Sequence, residues 1–418
     1  MKILLASKFF FLNGGVERYY RDLFVRLEET GHRPVPFSVR YTGSWESPYS
    51  KFFLPSPDKQ GKAHFKDIRV RPGNILRYLD RSVYSFEARY YLYRLLKAEG
   101  TVDVAYVFNI YNYMSPSIID YLKERGIPVV MQVGDYNLLC PSYTFLRRGS
   151  PCTLCLRGNY LHGLRHKCVK SSYPASALRV LAMFAQRLIR IYHRVDAFTV
   201  PCLFMKKMMV QGGFDEKRIH LLRYPMLDRQ VPGSPEKHNY MLYFGRVSYE
   251  KGLDTLVQAF EQLDPAEDLY IIGRSYDREK ERLNELMTPG FRDRIHFLEF
   301  MEKKELDQWI AGSLFTVVPS RWYDNAPLSI YESFQLRTPV VGADIGGIPE
   351  QIQDRVTGRL FSPGSVSELA QAMAWMLEDR KRLQEMGARG ADFVAEHCDM
   401  DRHVDRLLKI INSLKQSA

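Results

Sequence analysis

Residues 314–334 read LFTVVPSRWYDNAPLSIYESF. A short apolar run ends at Pro319, a polar loop follows, and an amphipathic stretch begins near Leu328. A buried strand, a loop and a helix in that order are the repeating unit of a parallel sheet, whose strands need crossover connections. The unit recurs on both sides of this stretch. In the second half YMLYFG (240–245), LYIIG (269–273), RIHFLEF (294–300) and TPVVGA (338–343) read as further strands, each followed by a helical segment. In the first half KILLAS (2–7), RPVPFSV (33–39), VDVAYVF (102–108), IPVVMQV (127–133) and VDAFTV (195–200) do the same, with helices expected at 16–29, near 115–125 and at 177–194. The expected fold class is therefore α/β, with two doubly wound, Rossmann-like domains facing a central cleft. The polar, turn-rich stretch 229–239 reads as the linker. The first domain is placed at 1–230 and the second at 231–400, with 401–418 a C-terminal helix returning toward the first. Residues 41–72, rich in aromatic, basic and turn residues, carry no assignable pattern.

At 418 residues the chain exceeds one ordinary core and suits two domains of about 200 residues each. The opening MKILLASKFFFL resembles a secretory signal in its lysine and apolar run. Lys8 interrupts that run and no small-residue cleavage site follows, so it reads as a first buried strand. No apolar stretch approaches the roughly 18 residues of a spanning helix. A cytoplasmic location is expected, and in a reducing compartment the six cysteines do not read as a disulfide framework. Charge is uneven: residues 1–230 carry 36 Lys and Arg against 18 Asp and Glu, and the remainder carries 23 against 30. A basic first half points to a polyanionic partner such as a phosphorylated substrate, anionic lipid or nucleic acid, or else to a solvated basic surface.

Three loops carry candidate chemistry. In the opening stretch, backbone N–H groups and a helix N-terminus make a phosphate-binding edge, and Asp324 and Glu332 place two carboxylates eight positions apart. Asp324 as a helix cap and Glu332 as a surface pair is the plain structural alternative. In YFGRVSYEKGLDTL, Arg246 and Lys251 follow Gly245 at the approach to a helix. Cations there are electrostatically misplaced unless an anion is bound, and a diphosphate uses both, one as a planar fork and one as a point charge. The alternative is two surface cations near Glu250. In FFLNGGVERYY, Gly14 and Gly15 occupy the first strand-to-helix loop, where a backbone can approach a phosphate closely.

Together these residues resemble glycosyltransferase family 4, the retaining nucleotide-sugar transferases of GT-B fold. The resemblance is strong over 240–365 and extends over nearly the whole chain. It implies that Arg246 and Lys251, in the pattern G-R-x4-K-G, hold the donor diphosphate. It implies that Asp324 faces the donor sugar, with aspartate where the family has glutamate, and that Glu332 holds the ribose. Asn325, Ala326, Pro327, Leu328 and Ser329 then line the diphosphate, Gly273 and Arg274 face the nucleobase, and Gly14, Gly15 and Gly245 complete the donor site. Many members have His-Asp after the fourth strand; here the dipeptide is Gly134-Asp135. Asp135, Asn109 and Tyr111 are the candidates to cover the histidine's role, the last two also as acceptor residues. The implied activity is front-face transfer of a sugar to a saccharide or polyprenyl-diphosphate-linked acceptor in cell-surface polysaccharide assembly, without a catalytic metal.

Two features lie outside that pattern. Arg179, Arg187, Arg190 and Arg194 fall on one stripe of the helix 177–194, opposite Leu181, Phe184, Leu188, Ile191 and Val195. This reads as a core-packed helix with a solvated basic face, or as a stripe touching anionic lipid at the inner membrane surface. Residues 134–172 form a cysteine-rich insertion. Cys140, Cys152, Cys155 and Cys168 have the makings of a tetrathiolate zinc site, with His162 and His166 as alternative ligands. An iron–sulfur cluster, a redox pair and ordinary loop cysteines are the other readings. Nucleic acid is not an expected partner, since no basic-aromatic recognition motif accompanies the charge. A zinc-containing nucleic-acid-binding protein, a sugar-nucleotide epimerase of the same fold, a phosphorylase and an inactive partner subunit remain the competing functions.

Overall fold

The structure, a computed structural model, describes residues 1–56, 80–227 and 237–416. Two six-stranded sheets, parallel throughout, form its two halves. The first contains β1 (Lys2–Ala6), β2 (Arg33–Phe37), β3 (Val104–Val107), β4 (Val129–Gln132), β7 (Ala197–Val200) and β8 (Ile219–Leu221), in the order β2-β1-β3-β4-β7-β8. Between β4 and β7 a two-stranded hairpin, β5 (Leu146–Arg147) and β6 (Ser150–Pro151), stands apart from the sheet. The second sheet contains β9 (Tyr240–Phe244), β10 (Asp268–Ile272), β11 (Ile295–Leu298), β12 (Thr316–Val318), β13 (Val340–Ala343) and β14 (Gly358–Phe361), in the order β11-β10-β9-β12-β13-β14. Central strands such as β3, β4 and β13 are buried at every position, as parallel strands covered on both faces must be.

Strand order decides where a ligand can sit. It reverses between β1 and β3 in the first sheet and between β9 and β12 in the second. In doubly wound sheets the crevice beyond the carboxyl ends of such strands is the binding place. The loops after β1, β3, β9 and β12 are those that carry Gly14 and Gly15, Asn109 and Tyr111, Arg246 and Lys251, and Asp324 to Ser329.

The C-terminal helix Met400–Gln416 crosses back to the first half. His403 Nδ1–H donates to the Arg223 carbonyl, and its Nε2 accepts from Tyr19 OH at 2.9 Å. The chain of hydroxyls continues to Tyr106 and Thr199. Lys415 reaches Asp103, and Arg26 reaches Asp401.

The structure departs from the sequence reading in several places. β8, β14, the β5–β6 hairpin and the helix Phe86–Glu99 have weak patterns and add to the expected elements. Of the unassigned stretch 41–72, the described part holds a short turn of helix at Ser50–Phe52; residues 57–72 lie outside the described residues, as does most of the expected linker, 229–236. The helix expected at 177–194 runs Tyr173–Leu188, opened by the Ser172 cap, and breaks at Arg190, which adopts a left-handed φ of 53°. Its stripes hold only in part: Ile191 and Val195 are buried as expected. Arg179 is buried, whereas Leu181, Phe184 and Leu188 are exposed, Leu188 by 85%. Arg187, Arg190 and Arg194 do face solvent. No described helix is long and apolar enough to cross a membrane.

Candidate active site

The loop after β12 is shaped from below by two glycines. Gly346 has φ +63° and a Cβ there would sit 2.3 Å from the Asp324 carbonyl; one at Gly347 would sit 1.6 Å from the Asn325 carbonyl. The Gly347 N–H donates to the Asp324 carbonyl at 2.7 Å. With its backbone fixed, Asp324 turns its carboxylate to Lys251 Nζ at 2.5 Å and accepts from Ser320 Oγ at 3.0 Å. Lys251 is held in turn because Gly252, at φ +71°, lets the loop after β9 lie against the Pro319 carbonyl. Lys251 and Asp324 are largely buried, so they form a built pair and not two surface charges. Arg246 lies 3.3 Å from Glu250 and keeps about half of its side chain in solvent.

The helix Leu328–Gln335 starts at Pro327 with no side chain capping its first N–H groups. Ala326 is buried, Leu328 is half-buried, and Ser329 lies in the first turn, its carbonyl accepting from Ser333 Oγ. Glu332 is one turn further and is bound across the cleft by Arg18 Nη1 of the first domain. Two more contacts cross the cleft. Asn325 Nδ2 donates to the Gly134 carbonyl at 2.6 Å, and Glu350 accepts from the backbone N–H groups of Leu203 and Phe204, both at 2.7 Å. Gly15 packs directly on Leu328, where a Cβ would meet Cδ1 at 3.0 Å; Gly14 precedes it in extended backbone. Gly245 and Gly273 serve the packing of the loops. A Cβ at Gly273 would sit 1.8 Å from the Gly245 carbonyl, so the loops after β9 and β10 touch backbone to backbone. Arg274 extends beside them over the ring of Phe300.

On the first-domain side, Asp135 accepts from the Asn137 N–H and Nδ2. Burial raises its pKa, while Lys8, Asn137 and Arg179 pull against that rise. The Asn109 Oδ1 and Tyr111 OH are buried without a partner among the described residues, as is the Asn325 Oδ1. Buried polar atoms are rarely left so. The turn at Gly134–Asp135 thus forms the wall that meets the loop after β12, and Tyr111 lies within electrostatic reach of Asp135. The glycine at 134 also has a physical reason. A Cβ there would stand 3.1 Å from Tyr224 OH and 3.2 Å from the Gln132 amide, two groups bonded to each other at 2.9 Å.

Sequence reasoning passes over four residues of this wall. Lys8 acts on Asp135 and on Glu17, whose pKa is raised by burial and lowered by Lys8. Arg18, the residue on Glu332, is the third after the glycine pair, and a cation in the first helical turn is the available signal. Tyr143, from the cysteine-rich stretch, sits where Arg246 and Glu250 of one domain and Asp135 and Lys8 of the other all act on it. Nothing local marks it. Arg179, expected on a solvent-facing stripe, instead donates to Asn112 Oδ1 and to the Asn137 carbonyl, bracing the turn that carries Asp135.

The four cysteines of the insertion are free thiols and line one pocket together with His162 and His166. As placed, no three His, Cys, Asp or Glu side chains among the described residues surround a single metal-sized point, and Cys140 Sγ is turned to Ser142 Oγ at 3.2 Å.

Comparison with known proteins agrees with this geometry. Alpha-D-kanosaminyltransferase of Streptomyces kanamyceticus is 26% identical over 303 residues, spanning 70% of this chain and 73% of that one. Among solved structures, sucrose-phosphate synthase from Thermosynechococcus elongatus superposes with a TM-score of 0.70 at 16% identity over the full length of both chains. HepE of Anabaena, solved with UDP-glucose, gives 0.66 at 16% identity, again over both full chains. At such identities the structures speak for the fold, which is GT-B. Residues 227–393 match Glycosyl transferases group 1 and residues 13–223 match Glycosyltransferase Family 4. With both halves of the cleft accounted for in this way, the chain belongs to Glycosyltransferase Family 4 and is a glycosyltransferase.

Proposed function

We propose that the protein transfers a sugar, with retention of anomeric configuration, from a nucleoside diphosphate sugar to a saccharide or polyprenyl-diphosphate-linked acceptor in cell-surface polysaccharide assembly. The observation that carries this reading is the buried Lys251–Asp324 pair beside Arg246, set at the switch point of the second sheet and opposite Asp135. The donor's diphosphate lies over the loops after β9 and β12, between Arg246, Lys251 and the uncapped N–H groups from Leu328 onward. Glu332 accepts from the ribose diol, and Asp324 faces the sugar. As the bond from the anomeric carbon to the β-phosphate oxygen breaks, negative charge grows on that oxygen and positive charge on the sugar. Arg246 and Lys251 are already in place for the first, which is electrostatic preorganisation. The acceptor hydroxyl attacks from the same face, and its proton passes to the departing phosphate. This scheme draws its cations from side chains and calls for no divalent metal.

The lipid-linked acceptor is supported by the basic first domain and by the exposed apolar side chains of the helix Tyr173–Leu188, flanked by Arg187 and Arg190. Exposed apolar groups beside cations suit the surface of an anionic bilayer. Placement at the cytoplasmic face follows from the same argument.

A screen of UDP- and GDP-sugars for binding and slow hydrolysis tests the donor half. Release of free nucleoside diphosphate supports transfer. Release of an altered nucleotide sugar instead identifies an epimerase, and absence of binding by every donor removes the reading.

A further inference from the structure

We propose that Cys140, Cys152, Cys155 and Cys168 bind one zinc ion as a tetrathiolate centre, and that this ion holds the segment 136–151 against the donor-binding loops of the second domain. Four thiols from the stretch 140–168 line a single pocket, none joined in a disulfide. Cys140, Cys152 and Cys168 all lie close enough to act electrostatically on Cys155. The Cys152–Cys155 knuckle is folded by turns: Leu156 N–H donates to the Thr153 carbonyl and Gly158 N–H to the Cys155 carbonyl. Binding requires the four side chains, including that of Cys140, now turned to Ser142, to swing onto a common tetrahedral point.

The surroundings suit the charge. A zinc tetrathiolate carries a net charge of about −2, and Arg147, Arg148 and Arg165 cluster at this pocket beside His166. The apolar support is split: Cys140, Phe145 and Leu156 belong to the main core of the first domain, whereas Cys155 packs with Tyr160, Val180 and Met183 in a separate minor core. The insertion also contains left-handed backbone at Tyr143, Phe145, Arg148 and Lys167, none a glycine. Such conformations persist where the surroundings over-determine them, and a metal joining the two cores adds to that constraint.

Two of the four ligands are hydrogen-bonded to residues that reach the second domain. Tyr143 N–H donates to the Cys140 carbonyl at 3.0 Å, and its phenol stands beside Arg246. Cys152 N–H donates to the Phe145 carbonyl at 2.6 Å, and the Phe145 ring faces Tyr323 at 6.4 Å between centroids. Gly149, at φ +79°, lies so close to Tyr249 that a Cβ would stand 2.5 Å from its hydroxyl. The metal itself is independent of the donor assignment; its influence on donor affinity rests on that assignment.

The test is elemental analysis of the full chain purified without chelator, followed by UDP and GDP titration before and after zinc is withdrawn. About one zinc per chain is expected, with cobalt substitution giving the visible bands of a tetrathiolate site. Cys152→Ser lowers zinc content, whereas His162→Gln and His166→Gln keep it. Zinc withdrawal weakens nucleotide binding several-fold while far-ultraviolet circular dichroism stays close to that of the loaded protein. Less than about half an equivalent of zinc, a coloured iron centre, or zinc lost in His166→Gln but kept in Cys152→Ser overturns the site. Unchanged nucleotide affinity in the zinc-free protein overturns the coupling. Failure of the zinc-loaded protein to bind either nucleotide overturns the donor assignment and leaves the metal result standing.

Discussion

Arg18, in the first turn of the first domain's leading helix, donates to the carboxylate of Glu332 in the second domain, across the cleft. This contact makes Glu332, the acid proposed to hold the ribose, part of the joint between domains. It predicts two separable effects. Glu332→Ala removes an acceptor for charged hydrogen bonds worth about 1.5–3 kcal/mol, so nucleoside diphosphate affinity falls roughly 10- to 100-fold. Arg18→Ala leaves the acid in place and changes affinity far less. Calorimetric titration with UDP and GDP checks both, and equal losses in the two variants would contradict the assigned roles.

In the proposed scheme the diphosphate is shared between a buried cation, Lys251, and a half-exposed one, Arg246. Each replacement by alanine is expected to cost about 10²–10³ in turnover, the range for removing one preorganised charge from a developing oxyanion. Lys251→Ala also strips Asp324 of its partner, so it is the more damaging change to stability. Nucleotide release measured alongside circular dichroism separates the effects; wild-type turnover by both variants would sink the assignment.

How much of this was legible follows from what each feature depends on. The strand-loop-helix units and the loops after β9 and β12 were readable, because apolar runs, two cations and two acids lie within short spans of sequence. Arg18 and Tyr143 were not, because their meaning arises only when two domains close on each other, and Lys8 was not, because it nears Asp135 only when the first domain folds. The helix Tyr173–Leu188 misled for a different reason. Periodicity shows that a helix has unlike faces but not which one is covered, and a polar crevice made by Asn112 and Asn137 draws Arg179 inward. The glycine in place of histidine at 134 was readable as a departure, but not that Tyr224 and Gln132 crowd the position, since both come near it only in the fold.

The C-terminal helix supplies a pH-dependent clasp. Burial lowers His403 to about 4 from an ordinary value near 6.5, so the unfolded chain binds a proton there before the folded one does. The stability contributed is present above about pH 6.5 and is lost as pH falls toward 4, up to about 3 kcal/mol. Thermal unfolding at pH 7 and pH 5 should show a steeper fall in Tm for the wild type than for His403→Gln. Parallel pH profiles would show that the Tyr19–His403–Arg223 chain is not what titrates.

The helix Tyr173–Leu188 separates two kinds of residue that composition alone would exchange. Arg179 is buried and bonded, so Arg179→Met should lower Tm and weaken transfer by loosening the Asp135 turn. Leu181 and Leu188 stand in solvent, so Leu181→Gln with Leu188→Gln should leave Tm within about a degree, since exposed substitutions usually fall within ±0.5 kcal/mol. Their effect is expected in co-sedimentation with anionic vesicles. Cations set the salt dependence of such binding and apolar side chains set what survives salt. The double variant should therefore lose the salt-resistant fraction, while Arg187→Gln with Arg190→Gln reduces binding mainly at low salt. Absence of wild-type binding to anionic vesicles at low salt would remove the membrane from the scheme and leave a soluble saccharide as the acceptor.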